Sequence, residues 1–312
     1  MMNYNDFKKE LVKDIKDEMA LLYPNTELQQ HTVIKNNNVR LDGLLFMRQS
    51  LFAPTVYVNY LYESFKDGTS MTSLIANVLE QISKIPSQPN NSALPIDWES
   101  AKNNVIFQVI SAQHNPKRML EIPFRRELDM LLTYRILIYI DNDSTASYQI
   151  DNELLKRFNV SEAELYQVAL KNTPKLLPLT LEGIDTVLEC LSTNATTTPI
   201  SLDETLKQMK KDLVMYVMTN LIKLWGASAI FYPDALEKIS NALNCHLFIL
   251  PSSIHETILI PARGREHKIS DLKLMVTEIN EEFVSTEDIL TNQVYLYDKN
   301  SKMLMIAEKW IV

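Results

Sequence analysis

Five glycines in a chain of 312 residues set the tightest limit on what this sequence can build. Average usage near 7% would supply roughly 22. The five are Gly43, Gly68, Gly183, Gly226 and Gly264, and no two stand within twenty residues of each other. A dinucleotide fingerprint needs several glycines in about six positions, because the backbone must approach a pyrophosphate with no Cβ in the way. A P-loop asks for similar freedom followed by Lys and Ser/Thr. Neither motif can be written here, so the common nucleotide cradles are excluded.

Other scarce residues narrow the field further. Cys190 and Cys245 are the only cysteines, with no CxxC pair. They cannot form a disulfide framework or a four-ligand zinc site, and two unpaired thiols suit a reducing compartment. Lys+Arg 31 against Asp+Glu 39 gives a net charge of −8, which argues against nucleic acid or a basic membrane-surface role. The first twenty residues carry charges on nearly every turn and hold no apolar signal-type run. The longest apolar runs, near 131–140 and 247–250, fall short of the ~20 residues of a membrane span. The expectation is a cytoplasmic protein without a membrane segment.

Hydrophobic periodicity divides the chain. Phe7, Leu11, Ile15, Met19 and Leu22 recur every three or four residues, predicting a helix over 6–22 that ends at Pro24-Asn25. Strand-like runs follow at 27–35, 39–47 and 55–60, and then a helix from Ser70 to Ile82. The stretch IPSQPNNSALP (85–95) is the best linker in the chain. Beyond it, Asp97 caps a predicted helix to Ala112, and residues 130–140 alternate as a long strand. Ser161 with Glu164 forms a capping box, and STNATTTP (192–199) marks a second boundary. Strand-like runs at 213–220 and 227–232 flank Gly226 as an expected hairpin, and Pro233 opens a helix to Leu243. Two more hairpins, 245–250 with 255–260 and 294–297 with 303–307, enclose a helix over 270–283.

Paired strands between helices predict an α+β protein with short antiparallel sheets and packed helices, in two or three modules. The expected bounds are 1–95, 96–198 and 199–312.

Four stretches carry a resemblance. MYVMTNLIKLWGASAIFYPDAL (215–236), LFILPSSIHETILIPA (247–262), VSEAELYQVALKNTPKLLP (160–178) and APTVYVNYLYESFKDGTS (53–70) resemble a bacterial family catalogued as a domain of unknown function. The resemblance spans most of the chain. It implies a cytosolic bacterial protein and carries no catalytic role to any residue.

Several constellations bear on chemistry. Asp141, Asp143 and Thr145 follow a hydrophobic strand as in haloacid-dehalogenase-type phosphotransferases. The downstream Gly-Asp or Asp-Asp needed to hold Mg²⁺ does not occur, so an Asx-rich turn is the reading. Ser252, Ser253, His255 and Glu256 supply nucleophile and base types, but on a strand His255 and Glu256 face opposite ways. Cys245 and His246 diverge for the same reason. Thr219, Asn220, Lys223 and Trp225 sit at a turn beside apolar strands, where polar groups next to an aromatic suit ligand or partner binding. Arg263, Arg265, His267 and Lys268 precede a helix start where an anion could rest against free N–H groups. Lys117, Arg118, Arg125 and Arg126 form a second basic stretch, and neither stretch has aromatics interleaved for base stacking.

The resulting expectation is a non-catalytic protein that binds another protein or a small ligand and uses no cofactor or metal. Its binding residues are Thr219, Asn220, Lys223, Trp225, His255 and Glu256, with Arg263, Arg265 and Lys268 for an anion. The competing expectation is a hydrolase of unfamiliar type in which His255 meets a carboxylate from another module.

Overall fold

A computed structural model of the chain describes residues 2–48, 51–52, 55–83, 97–140, 145–193, 202–208, 213–263 and 268–308. The chain divides into two compact units, Met1–Leu94 and Pro95–Val312. The linker stretch 85–95, the turn at 141–144 and most of STNATTTP lie outside the described residues.

The first unit opens with helix α1 (Tyr4–Leu22), whose start is held by the Asn3 side chain accepting from the Asp6 amide at 3.0 Å. Strands β1 (Glu27–Ile34), β2 (Arg40–Arg48), β3 (Leu51–Phe52) and β4 (Val56–Tyr57) form an antiparallel sheet around β2. Helices α2 (Val58–Lys66) and α3 (Met71–Ser83) follow. Phe7, Leu11 and Ile15 from α1 bury against Leu44 and Phe46 from β2 and Leu74 and Val78 from α3. The expected strand over 55–60 shrinks to two residues because the chain turns into α2 at Val58.

The second unit departs from the helix expected over 97–112. Asp97 caps a helix, accepting from the Ser100 amide at 2.9 Å, but α4 spans only Trp98–Ala101. The rest of the predicted helix is strand β5 (Val105–Ser111), buried along its whole length. Its Val-Ile-Phe-x-Val-Ile sequence, β-branched and enclosed on both faces, packs as a central strand. Strands β6 (Phe124–Glu127), β7 (Met130–Ile140) and β8 (Thr145–Gln149) complete a sheet in which β7 pairs with the other three. The free edge of β5 is closed by hydroxyls: Thr173 accepts from the Phe107 amide at 3.0 Å and Ser228 from the Val109 amide at 3.2 Å.

Helices α5 (Asn152–Phe158) and α6 (Glu162–Leu176) lead to strand β9 (Leu179–Gly183) and helices α7 (Ile184–Thr193) and α8 (Leu202–Gln208). Strand β10 (Tyr216–Asn220) pairs with β9, Tyr216 opposite Gly183 and Asn220 opposite Leu179. This pairing joins the stretches assigned to separate modules at 198/199, and residues 95–312 are one unit. After β10 the expected second strand of a 213–232 hairpin is a 3₁₀ helix, Gly226–Phe231. Small Ala227, Ser228 and Ala229 pack there against β5, which leaves no room for a pleated strand with large side chains.

Helix α9 (Ala235–Leu243), strands β11 (His246–Leu250) and β12 (Thr257–Ala262), helix α10 (Ile269–Glu282) and strands β13 (Tyr295–Asp298) and β14 (Met303–Ile306) finish the fold. The second sheet runs β14-β13-β11-β12-β10-β9, and every strand pair among the described residues is antiparallel. The architecture is α+β.

Glycine scarcity has a visible consequence. Left-handed backbone positions fall on Asn37, Asn38, Asn159 and Asn244, the residues that tolerate them best, and also on Leu128, Lys223, Trp225, Asp234 and Lys302. The last five gather at two places, the loop after β10 and the turns around α9.

Candidate functional site

The first place is the loop after β10. Asn220 is fully buried, and its carboxamide organises the loop. Oδ1 accepts from the Ile222 amide at 3.2 Å and the Leu224 amide at 3.3 Å, while Nδ2 donates to the Leu224 carbonyl at 2.6 Å. The chain is wound around one side chain, with Lys223 and Trp225 in left-handed conformation at φ 54° and 55°.

His255 locks this loop to the rest of the unit. Thr219 Oγ1 donates to the His255 carbonyl at 2.7 Å, and the Trp225 amide donates to His255 Nδ1 at 3.3 Å. A backbone N–H can only donate, so Nδ1 carries the lone pair and Nε2 carries the proton. Nε2 then donates to Asp288 Oδ1 at 3.1 Å, and Asp288 Oδ2 accepts from Ser285 Oγ at 2.6 Å. The Trp225 indole packs on Ile106, Leu137 and Leu177, with the Arg135 guanidinium 4.9 Å from the ring centre.

Thr219, Asn220, Trp225 and His255 therefore come together as one interlocked group, with Lys223 exposed on the same loop. Glu256 points out to solvent and takes no part. His255 does meet a carboxylate, but its second nitrogen, which a general base would need free, already accepts an amide proton.

The other nominated residues are dispersed. Arg263 is half-buried beside the Cys245 thiol, whose pKa burial pushes up, and Lys268 is exposed ahead of α10 with no side-chain capping bond. Arg265 and His267 lie outside the described residues. In the other basic stretch, Arg125 is spoken for: it pairs with Glu162 at 3.0 Å and lies 3.9 Å over the Tyr166 ring.

The second gathering of left-handed residues surrounds a cavity of about 400 Å³, within the usual size range of small-molecule sites. Three turns meet there. The two-residue turn between β6 and β7 contributes Leu128, the entry to α9 contributes Asp234, and the β13–β14 turn contributes Lys302, with φ of 58°, 60° and 57°. A leucine at such a φ costs roughly 1–2 kcal/mol and persists only where its surroundings enforce it. Here Asp129, next in the turn, accepts from Thr291 Oγ1 at 3.0 Å and from the Tyr295 hydroxyl, which fastens the turn to β13.

One polar atom in the cavity stands apart. Tyr297 is 6% exposed as a whole residue, and its hydroxyl, which makes no hydrogen bond among the described residues, ends at the open wall of the cavity. Its pKa is raised by burial and then by Glu237, and the other charges it senses include Lys302 and Asp234, all of them cavity residues. The phenol therefore faces the cavity. Glu237 and Lys302 pair with each other at 2.5 Å across the mouth. Tyr232, by contrast, spends its hydroxyl on the Leu177 carbonyl at 2.8 Å and serves as wall.

Sequence reasoning named none of these residues. The available signals were Pro233-Asp234 opening a helix and Tyr295 with Tyr297 on one strand face, and neither reveals that three turns far apart in the chain converge.

Fold and site together describe an α+β protein with an open ligand-sized cavity. The chain belongs to a family of unknown function (DUF5688), whose model matches residues 4–299. No curated protein and no solved structure matches the chain.

Proposed function

We propose that this protein acts by binding rather than by catalysis, and that its ligand is a small molecule held in the cavity between the β6–β7 turn, α9 and the β13–β14 hairpin. The observation that carries the reading is the Tyr297 hydroxyl. Its ring packs in the core while its oxygen is left at the cavity wall without a protein partner among the described residues. It faces a space of about 400 Å³, where a ligand group can take the place of water as its partner. Cytoplasmic placement and a bacterial source accompany the reading as expectations.

The hydrolase alternative has one feature in its favour, the His255–Asp288 contact of 3.1 Å. The Trp225 amide on Nδ1 speaks against it, because that nitrogen cannot take a proton without giving up the bond that holds the loop.

The test is retention of a ligand. The full chain is incubated with the small-molecule fraction of a cell extract, and complexes are read by native mass spectrometry. A retained species that is lost in Leu304→Trp, which fills the cavity, and weakened in Tyr297→Phe supports the reading. Retention unaffected by both changes, or no retained species, overturns it.

A further inference from the structure

We propose that His255 is an acid-operated latch on the loop after β10: a proton on its imidazole unfastens residues 222–225 from the rest of the second unit while the loop keeps its internal winding. The amides of Ile222 and Leu224 are held by the Asn220 carboxamide, and that of Lys223 by the Asn220 carbonyl at 2.9 Å. Of these four residues, Trp225 alone sends its amide outside the loop, to His255 Nδ1 at 3.3 Å.

That one tie is titratable. Nδ1 accepts from the amide only while it carries no proton, and protonation turns it into a donor aimed at another donor. The other nitrogen keeps its partner in either state. Nε2 donates to Asp288 Oδ1 at 3.1 Å, and the carboxylate favours the imidazolium. His255 is half-buried, so solvent protons reach it. The charged groups on the elements that meet here are Asp288 and Glu287 ahead of β13, Arg135 of β7 beside the Trp225 ring, and the exposed Lys223 and Glu256. The ends of the loop are fixed by bonds that do not titrate: the Leu221 amide donates to the Pro178 carbonyl at 2.9 Å and the Ala227 amide to the Ile254 carbonyl at 3.2 Å. Acid therefore leaves both anchors and the Asn220 bonds intact and frees the segment between them, which carries Trp225 and Lys223.

Amide exchange followed by NMR on the full chain, expressed as protection factors at about pH 8 and about pH 5, reads the latch one amide at a time. Trp225 should lose protection about fivefold or more as the His255 ring titrates, while Ile222 and Leu224 keep theirs. His255→Asn places a non-titrating oxygen near the position of Nδ1, so its Trp225 protection should be the same at both pH values. Asp288→Asn withdraws the carboxylate that favours the imidazolium and should move the loss to lower pH. Trp225 protection that stays constant while the His255 ring titrates would overturn the proposal, as would a ring that does not titrate over this range. A loss shared by Ile222 and Leu224 would be acid unfolding and would also overturn it. So would an equal loss in His255→Asn, or a midpoint unmoved in Asp288→Asn.

Discussion

A Cβ placed on Gly226 would stand 2.0 Å from Thr219 Oγ1 and 2.3 Å from the His255 carbonyl oxygen. The loop after β10 and the segment leading into β12 touch backbone to backbone at this point, and only a residue without a side chain fits. Gly226→Ala should therefore destabilise the protein by about 3 kcal/mol or more, since overpacking against backbone cannot relax through a rotamer. Removing the Thr219 hydroxyl at the same time should not restore stability, because the carbonyl remains. Urea unfolding with Gly68→Ala as control checks this: Gly68 has nothing within 4 Å of an added Cβ and only its φ of 100° to lose, a cost nearer ~1 kcal/mol.

Asn220 offers a second measurement. Asn220→Ala removes one acceptor that receives two backbone amides and one buried donor, so a loss of about 2–4 kcal/mol is expected. Asn220→Asp should fare no better, because it sets a carboxylate oxygen against the Leu224 carbonyl, which now accepts at 2.6 Å. Amide exchange at Ile222 and Leu224 should accelerate in both variants. Unchanged protection there would show that the loop does not depend on this side chain.

High pH should reveal the buried tyrosines. Tyr134, Tyr232 and Tyr295 all have pKa values pushed well above the ordinary value near 10, in each case chiefly by burial. The folded state keeps these protons longer than the unfolded chain does. Their contribution to stability is thus complete below pH ~10 and declines as pH rises above it. In an alkaline absorbance titration the more exposed of the 13 tyrosines should ionise first, and these three only as the fold is lost. Smooth ionisation of every tyrosine with the fold intact would contradict the burial argument.

Acid should act through the start of α6. Ser161 and Glu164 cap it reciprocally: the Ser161 amide donates to Glu164 Oε2 at 2.9 Å, and the Glu164 amide donates to Ser161 Oγ at 3.2 Å. The Ser161 amide is the main cause holding the Glu164 carboxyl below its usual range. A depressed folded pKa gives stability that is present above the ordinary carboxyl value near 4.3 and lost as pH falls through the folded value. Ser161→Ala should cost about 1 kcal/mol, and Glu164→Gln should flatten the acid limb of the stability–pH curve. An acid limb unchanged in Glu164→Gln would show that the box contributes nothing to it.

Local signals were legible where a few neighbouring residues settle the matter. The Ser161/Glu164 capping box, the Asp97 cap and the closing β13–β14 hairpin could be read directly, because caps and turns are made by side chains bonding to nearby backbone. Misreadings came where burial overruled local pattern. Residues 105–111 form a strand because they are enclosed on both faces, and 226–231 form a 3₁₀ turn because they press against β5.

The site divides along the same line. Thr219, Asn220, Trp225 and His255 could be nominated from their chemistry. That Trp225 and Asp288 occupy both nitrogens of one imidazole depends on residues 30 and 33 positions away. Glu127, Asp234, Tyr297 and Lys302 could not be grouped from the chain at all. Composition and short-range pattern are enough to exclude glycine-built cradles and to specify helices, hairpins and an α+β class. A cavity is the space left when distant turns pack against each other, and its shape and charge exist only once long-range burial has brought those turns together.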